Sequence, residues 1–371
     1  MNSADRIEEL KIRQLTNQHL IQPADKMTVI RDLCGVQAQF MVNAMHSLKI
    51  RCNDFDENTI VDGLVKNWTV RGTVHVFAES DLPLFIRCNN GEAYRKNEWG
   101  GYTFWNQRDK WALTPERQKY FADIIVSAVT ESPYTRDELK KLCRSHGMDA
   151  GEEASMFDQW GGGIRELCER GFMNYVVQEK KAYIASPEFK PIPEEEAKLE
   201  IARRYFTNMG PATIHDAMYY TGAKQAEVKN WLNQLPVESI DCEGKTYYYI
   251  PNGKAYDNEI PTCIFLAGFD QLMLGYQKKE SLYLPQEHLR SIFNLAGIVM
   301  PPILLNGKVV GKWKKKNADF TFTLFETVSD KEKKIISNTA ENLWDSISKI
   351  TFEQNGGKTI GRRKNNADSP Y

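Results

Sequence analysis

The chain has 371 residues, a formal net charge of −1 and 26% charged residues. That length implies roughly two to three domains with ample chain for buried cores. With 42% hydrophobic residues the composition is that of a folded globular protein, which excludes wholesale disorder, a collagen-like repeat and a disulfide scaffold. The near-zero net charge excludes an indiscriminate polycationic coat for nucleic acid and leaves local basic patches open. The opening MNSADRIEEL is too polar for a secretory signal. No apolar run approaches the ~18 residues of a membrane span. Seven cysteines without a C-x-x-C pair, and six dispersed histidines without H-E-x-x-H, point to a reducing cytoplasm and to no bound metal. A P-loop, a G-x-G-x-x-G after a strand and a G-x-S-x-G elbow are all missing.

In chain order, the apolar spacing predicts helices over 5–20, 25–34, 40–50 and 57–66, with Gly35 stopping the second. The alternation in NWTVRGTVHVFA (67–78) predicts a hairpin turning near Arg71-Gly72. A second unit begins with a helix over 115–130. Thr135 to Glu138 is a capping-box signature opening the next helix, and a further helix reaches about Arg170. Two strands, Phe172–Val177 and Ala182–Ala185, follow. A third unit has helices at 194–208, after Gly210-Pro211, and at 223–234. Its strands, Val237–Asp241 and Thr246–Ile250, flank Glu243-Gly244. Helices closed by a two-stranded hairpin, three times over, describe the winged-helix form of helix-turn-helix. Residues 262–325 are strand-rich, with Asn306-Gly307 in a hairpin turn, and a single helix over about 330–350 comes next. The end, from Gln354, is low in apolar residues and reads as frayed. The fold class is therefore α+β: tandem winged-helix units followed by a small C-terminal β-domain with one helix. The boundaries are 1–112, 113–190, 191–256 and 257–352, with a flexible basic tail at 353–371.

Four groups of residues are candidates for chemistry. Gln37 and Gln39 flank Ala38 just after Gly35. In extended or turn geometry, residues two apart point the same way, so the two amides can converge on one water. The plainer reading of these residues alone is that they cap the next helix or pair with backbone. Arg71 sits at a hairpin tip, with Thr73 and His75 on one face of the following strand. They are candidate DNA contacts, or a surface arginine and a half-buried histidine. Lys308, Lys312, Lys314, Lys315 and Lys316, with Trp313 among them, and Lys358, Arg362, Arg363 and Lys364 in the tail, fit phosphate contacts or a solvated face. Asp270 is an acid in an apolar run, read as tied to backbone donors rather than as a general base. The glycine-rich Trp160-Gly161-Gly162-Gly163 lacks the Lys-Ser/Thr of a phosphate cradle and reads as a break between helices.

The blocks GVQAQ, RGTVHVF, GPATIHDAMYYTG, FLAGFDQLMLGY and PPILLNGKVVGKWKKK, in that order, resemble the AlkZ/YcaQ-type winged-helix DNA glycosylases over about residues 5 to 350. The resemblance implies tandem winged helices with a C-terminal β-domain, and a catalytic Gln-Φ-Gln or Gln-Φ-Asp motif. Gln37 and Gln39 match the Gln-Φ-Gln form, with Ala38 as a small middle residue. It further implies a monofunctional DNA glycosylase excising cationic alkylated purines such as N7-alkylguanine, and in the AlkZ branch interstrand crosslinks. The partner would be alkylated double-stranded DNA, bound by a monomer without cofactor or metal. Arg51, Arg71, Thr73, His75, Lys312, Lys314 and Lys315 would lie on the DNA side. The alternative is a non-enzymatic winged-helix DNA-binding protein or transcription regulator, which would bind one duplex sequence tightly and commonly as a dimer.

Overall fold

The computed structural model describes residues 3–86, 112–158 and 162–354. Cys88, Trp160, Gly161 and the tail cations Lys358, Arg362, Arg363 and Lys364 lie outside the described residues.

The first segment runs α1 (Ser3–Asn17), α2 (Lys26–Asp32), β1 (Val36–Gln37), α3 (Met41–Lys49), β2 (Leu64–Trp68), β3 (Val74–Ala78) and α4 (Leu82–Phe85). Asp25 starts α2 by accepting from the backbone of Met27 and Thr28. The second segment is α5 (Pro115–Glu131), β4 (Tyr134–Thr135), α6 (Arg136–Ser145), α7 (Ala150–Met156), α8 (Gly162–Glu169), β5 (Met173–Tyr175) and β6 (Ala182–Ala185). The capping box at Thr135 and Glu138 forms as its spacing predicts. The third is α9 (Glu194–Asn208), α10 (Ile214–Thr221), α11 (Gln225–Gln234), β7 (Glu238–Cys242) and β8 (Lys245–Tyr249). One topological detail recurs. An extended stretch between two helices returns to pair with the last strand of its segment: β1 with β3, β4 with β6, and Ala212 with Tyr248 of β8.

Two of the three hairpins do not stand alone. β2 and β5 pair antiparallel through Lys66 and Tyr175, which merges the strands into one sheet of order β1-β3-β2-β5-β6-β4. The amide of Asn67 ties the seam, donating to the Cys168 carbonyl at 2.9 Å and to Asn174 Oδ1 at 2.6 Å.

The C-terminal segment holds β9 (Cys263–Phe265), α12 (Gln271–Leu274), α13 (Leu289–Ile292), β10 (Pro302–Leu305), β11 (Lys308–Lys316), β12 (Asp319–Leu324), α14 (Asp330–Leu343) and β13 (Lys349–Gln354). Its strands form one sheet, β13-β12-β11-β10-β9. Asn306 and Gly307 take positive φ (48° and 70°) in the β10–β11 turn, as an Asn-Gly hairpin demands.

Three sequence expectations need correction. Residues 57–63 are turns, and 64–66 begin β2. Asp56 accepts from the Asn58 backbone at 2.9 Å, a local bond that competes with helix, and Gly63 at φ +73° ends the run. TCIFLAGF yields only three strand residues, because Asp270 caps α12 straight afterwards. The end of the β-domain is a strand: β13 pairs parallel with β12, matching Ile350 to Phe320 and Phe352 to Phe322.

The largest buried cluster includes Val29, Ala38, Phe77, Phe206, Leu266 and Leu304, so the first, third and C-terminal segments share one core. A second cluster, built on Phe121, Leu139 and Tyr183, belongs to the second segment.

The helix after the glutamines is fastened at two points. Arg51, just past α3, is fully buried and forms a bidentate pair with Asp270 (Nη2–Oδ1 2.7 Å, Nη1–Oδ2 3.0 Å). Its Nε donates to the Gln18 carbonyl at 3.0 Å. Arg51 therefore has no surface to offer a phosphate, and its expected role as a DNA contact is withdrawn. Asp270 also accepts from the backbone of Ala267 and Leu272, as its reading as a tied acid predicts. The second point is His46, whose Nε2 donates to the Phe265 carbonyl at 2.8 Å while its ring stacks on Trp344.

Two outcomes follow. Asp270→Asn keeps the shape but leaves Arg51 charged and unpaired, which should cost roughly 3–5 kcal/mol in urea unfolding. Burial lowers the His46 pKa to about 4. The folded ring stays neutral while the unfolded one takes a proton below about 6.5. Its contribution is complete above that pH and is lost as pH falls towards 4, by about 3 kcal/mol. Melting temperatures of the wild type and His46→Gln between pH 7.5 and 4.5 test this; the variant should show the shallower acid-side decline.

Candidate active site

The site begins with a turn that only glycine can make. Cys34 and Gly35 have φ of 53° and 80°. A Cβ on Gly35 would lie 2.8 Å from the Val76 carbonyl oxygen. Glycine thus lets the chain reverse out of α2 and press against β3. Gln37 then pairs with His75, and the Ala38 N–H donates to the Val74 carbonyl at 2.9 Å.

This register sorts the side chains. Residues directly opposite in a ladder share a face, so Gln37 lies with His75 and Asn67, and Ala38 lies on the other side with Val74. Ala38 is fully buried, which suits its small size. Gln39 follows as the chain bends and is exposed. The N-cap of α3 is Phe40, without a side-chain cap bond, so neither glutamine serves as the cap. Among the described residues neither glutamine side chain makes a hydrogen bond. Two primary amides beside a strand end are thus uncommitted.

Gln39 and Ala38 border a cavity of about 280 Å³, whose lining does not include Gln37. Thr73 lines it too, with Lys66, Arg136, Arg165 and Lys181. Arg165 lies 3.7 Å over the Trp68 ring. Lys66 donates to the Gln178 carbonyl at 2.8 Å. Burial lowers its pKa to about 8, against the pull of Glu179. The carboxylate of Glu179 also accepts from the Val42 N–H at 3.3 Å, at the first turn of α3. The cavity wall is thus cationic and aromatic, a lining suited to phosphate and base.

Arg71 folds back on the protein. Its guanidinium lies 4.3 Å over Tyr220 and donates to Gln271 Oε1 at 3.3 Å. It borders a second cavity, of about 220 Å³, with Tyr220, Lys198 and Trp231. Gln271, fully buried, donates to the Gly35 carbonyl at 2.7 Å and so links Arg71 to the turn before Gln37. His75 is fully buried. It cannot touch a phosphate, and its expected place among the DNA contacts is corrected. Burial first, and Arg71 second, hold its pKa well below the usual histidine value.

On β11, Lys312 is partly buried and Lys314, Lys315 and Lys316 are exposed. Lys308 pairs with Glu326 at 2.7 Å, whereas the other four make no ion pair among the described residues. Trp313 is not the aromatic face between cations that the sequence suggests. Its indole N–H donates to the Leu266 carbonyl at 2.8 Å, and its ring packs against His46 and Trp344.

Sequence reasoning passed over Lys66, Gln271 and Asn67. Lys66 offered a signal, a lysine in a strand beginning Leu64-Val65 and two residues before Trp68. Gln271 and Asn67 gave none, because their partners are distant in the chain.

No group of three or more His, Cys, Asp or Glu among the described residues could hold a metal, and no described helix is long and apolar enough to cross a membrane. A family model described as "DNA glycosylase AlkZ-like" matches residues 30–344. An interstrand DNA cross-link repair glycosylase of Streptomyces sahachiroi is 24% identical over 319 residues, covering 80% of this chain and 84% of that protein. The solved structure of Streptomyces sahachiroi DNA glycosylase AlkZ shares the fold, with a TM-score of 0.73 at 20% identity over 94% of this chain and 98% of that one. With the family model spanning most of its length, the chain belongs to the AlkZ-like DNA glycosylases.

Proposed function

We propose that this glycosylase hydrolyses the N-glycosidic bond of cationic alkylated purines, N7-alkylguanine above all, with Gln37 and Gln39 positioning the water, and that it also acts on interstrand crosslinks. The observation that carries the reading is the pair of glutamine amides without hydrogen-bond partners at the end of β1. A primary amide is not a base near neutral pH. An N7-alkylated guanine is already positive and leaves without protonation. What remains is to aim a water and to place carbonyl dipoles towards the oxocarbenium charge developing on the sugar. Side-chain carbonyl oxygens are acceptors suited to both tasks. A neutral purine would need a general acid, and nothing at these two positions is one. Selectivity for cationic lesions is the consequence.

The crosslink part of the proposal is supported by the name of the Streptomyces relative. A base tethered to both strands cannot be turned fully out of the helix, so the enzyme would reach the sugar inside distorted duplex. The recurring pairing of a short strand with the last strand supports three winged-helix units, bounded at 1–112, 113–190 and 191–256, followed by a β-domain that runs from 257 through β13 to Gln354 rather than stopping at 352. We place Thr73, Lys312, Lys314 and Lys315 on the DNA side, with Arg71 held nearby by Tyr220.

Single-turnover release of N7-methylguanine from a duplex tests the chemistry. Gln37→Ala and Gln39→Ala should each lower the rate by about 10²–10³-fold, the loss seen when one oriented polar group is removed, with DNA affinity retained. A rate unchanged by both substitutions would sink the assignment. Lys314→Ala and Lys315→Ala should weaken binding alike on every sequence. Each should also flatten log Kd against log salt by about 0.9. Unaltered slopes would remove β11 from the interface.

A further inference from the structure

His75 has a ring nitrogen with nothing to bond. Its Nδ1 lies 3.0 Å from the Thr73 carbonyl oxygen and 3.1 Å from Thr69 Oγ1. A carbonyl oxygen only accepts, so Nδ1 carries the proton and Nε2 is a bare lone pair. That Nε2 is buried and has no partner among the described residues. An unpaired buried acceptor is costly, and native proteins seldom leave one without a reason.

The neighbours of His75 across the strands narrow the donor to one. On one side is Asn67, whose amide hydrogens already go to Cys168 and Asn174 and whose Oδ1 accepts from the Trp68 N–H. On the other side is Gln37, on the same sheet face, almost wholly buried and without a side-chain bond. The row therefore holds one orphaned acceptor and one uncommitted donor directly opposite each other.

We propose that His75 is the positioning residue for Gln37: its Nε2 accepts from the Gln37 amide nitrogen during catalysis and so fixes which end of the carboxamide meets the water. This rests on the reading of Gln37 as a water-positioning group. The physical need is specific to an amide. Its C=O and NH₂ ends are nearly isosteric, and a half-turn exchanges them. The flipped amide offers hydrogens where the water needs an acceptor, and it turns the positive end of its dipole towards a developing cation. An acceptor behind the nitrogen removes the ambiguity. A neutral ring in this pocket suits that task, since a protonated Nε2 would hold the wrong end.

Two substitutions separate this role from packing. In His75→Asn the amide occupies the place of Nδ1 and can still donate to Thr73, but the Nε2 acceptor is gone. In His75→Gln the amide oxygen reaches the place of Nε2. Single-turnover release of N7-methylguanine should fall at least tenfold in His75→Asn, with duplex Kd and melting temperature held. His75→Gln should restore most of that loss. In a Gln37→Ala background His75→Asn should cost nothing further. Equal losses in the two His75 variants, or additive losses with Gln37→Ala, overturn the proposal. As a readout independent of any His75 variant, the ¹⁵N resonance of His75 Nε2 in the duplex complex should move in Gln37→Ala. A fixed resonance overturns the contact. If Gln37→Ala itself excises at the wild-type rate, the water-positioning reading falls. If Gln37→Ala is slow and His75→Asn is not, only the role of His75 falls.

Discussion

A buried arginine and a buried aspartate, 219 residues apart in the chain, set where the glutamine segment can lie. Arg51 follows α3 directly, and Asp270 caps α12. Their bidentate pair fixes one end of the helix that begins just after Gln39, while Gln271, next to Asp270, holds the carbonyl of Gly35 before the motif. The motif is thus gripped on both sides by consecutive residues at the start of one distant helix, α12. Two unshielded charges in this interior would be intolerable, so the pair requires the first and C-terminal segments to close on each other. The continuous buried cluster from Leu15 to Val309 is the apolar counterpart of that closure.

Charge is distributed around the motif in a way that fits the proposed chemistry. The glutamines are neutral, and neither has a carboxylate or ammonium as a bonded partner. The cations Lys66, Arg136 and Lys181 line the neighbouring cavity instead. A cationic base and an anionic backbone make opposite demands on one surface. A neutral centre beside a positive wall meets both, because field strength falls with distance and with exposure.

The sequence was most informative where local chemistry decides structure. Asn306-Gly307, Glu243-Gly244 and Arg71-Gly72 each gave a hairpin at the expected place, since positive φ is a local requirement. The Thr135–Glu138 box gave a helix start for the same reason. Gln37 and Gln39 stood out as a pair, but the placement of Gln37 opposite His75 did not, because it depends on the register of β1 against β3. Long-range pairing was likewise hidden. Nothing in LVKNW announces that Lys66 meets Tyr175, and Arg51 reads as a surface arginine until Asp270 is placed beside it. Trp313, amid lysines, looked exposed, yet strand alternation turns it inward against Phe322 while Lys312 and Lys314 take the other face. In β13 the alternation of Ile350 and Phe352 was present but was outweighed by the polar stretch that follows.

The seam between β2 and β5 joins the first two hairpins through one registered backbone pair, Lys66 with Tyr175, and the amide of Asn67. The indole N–H of Trp68 adds a bond to the Tyr175 hydroxyl at 3.2 Å, so a handful of contacts sets how the two hairpins sit. The loop after β5 carries two ends of one lever: its Gln178 carbonyl holds the Lys66 ammonium, and its Glu179 carboxylate sits on the first turn of α3. Rotation of the second hairpin about the seam therefore moves the electrostatic wall of the cavity and the start of α3 together. Shape imposed on one side of this plate reaches the glutamines as a change in local field as well as in distance.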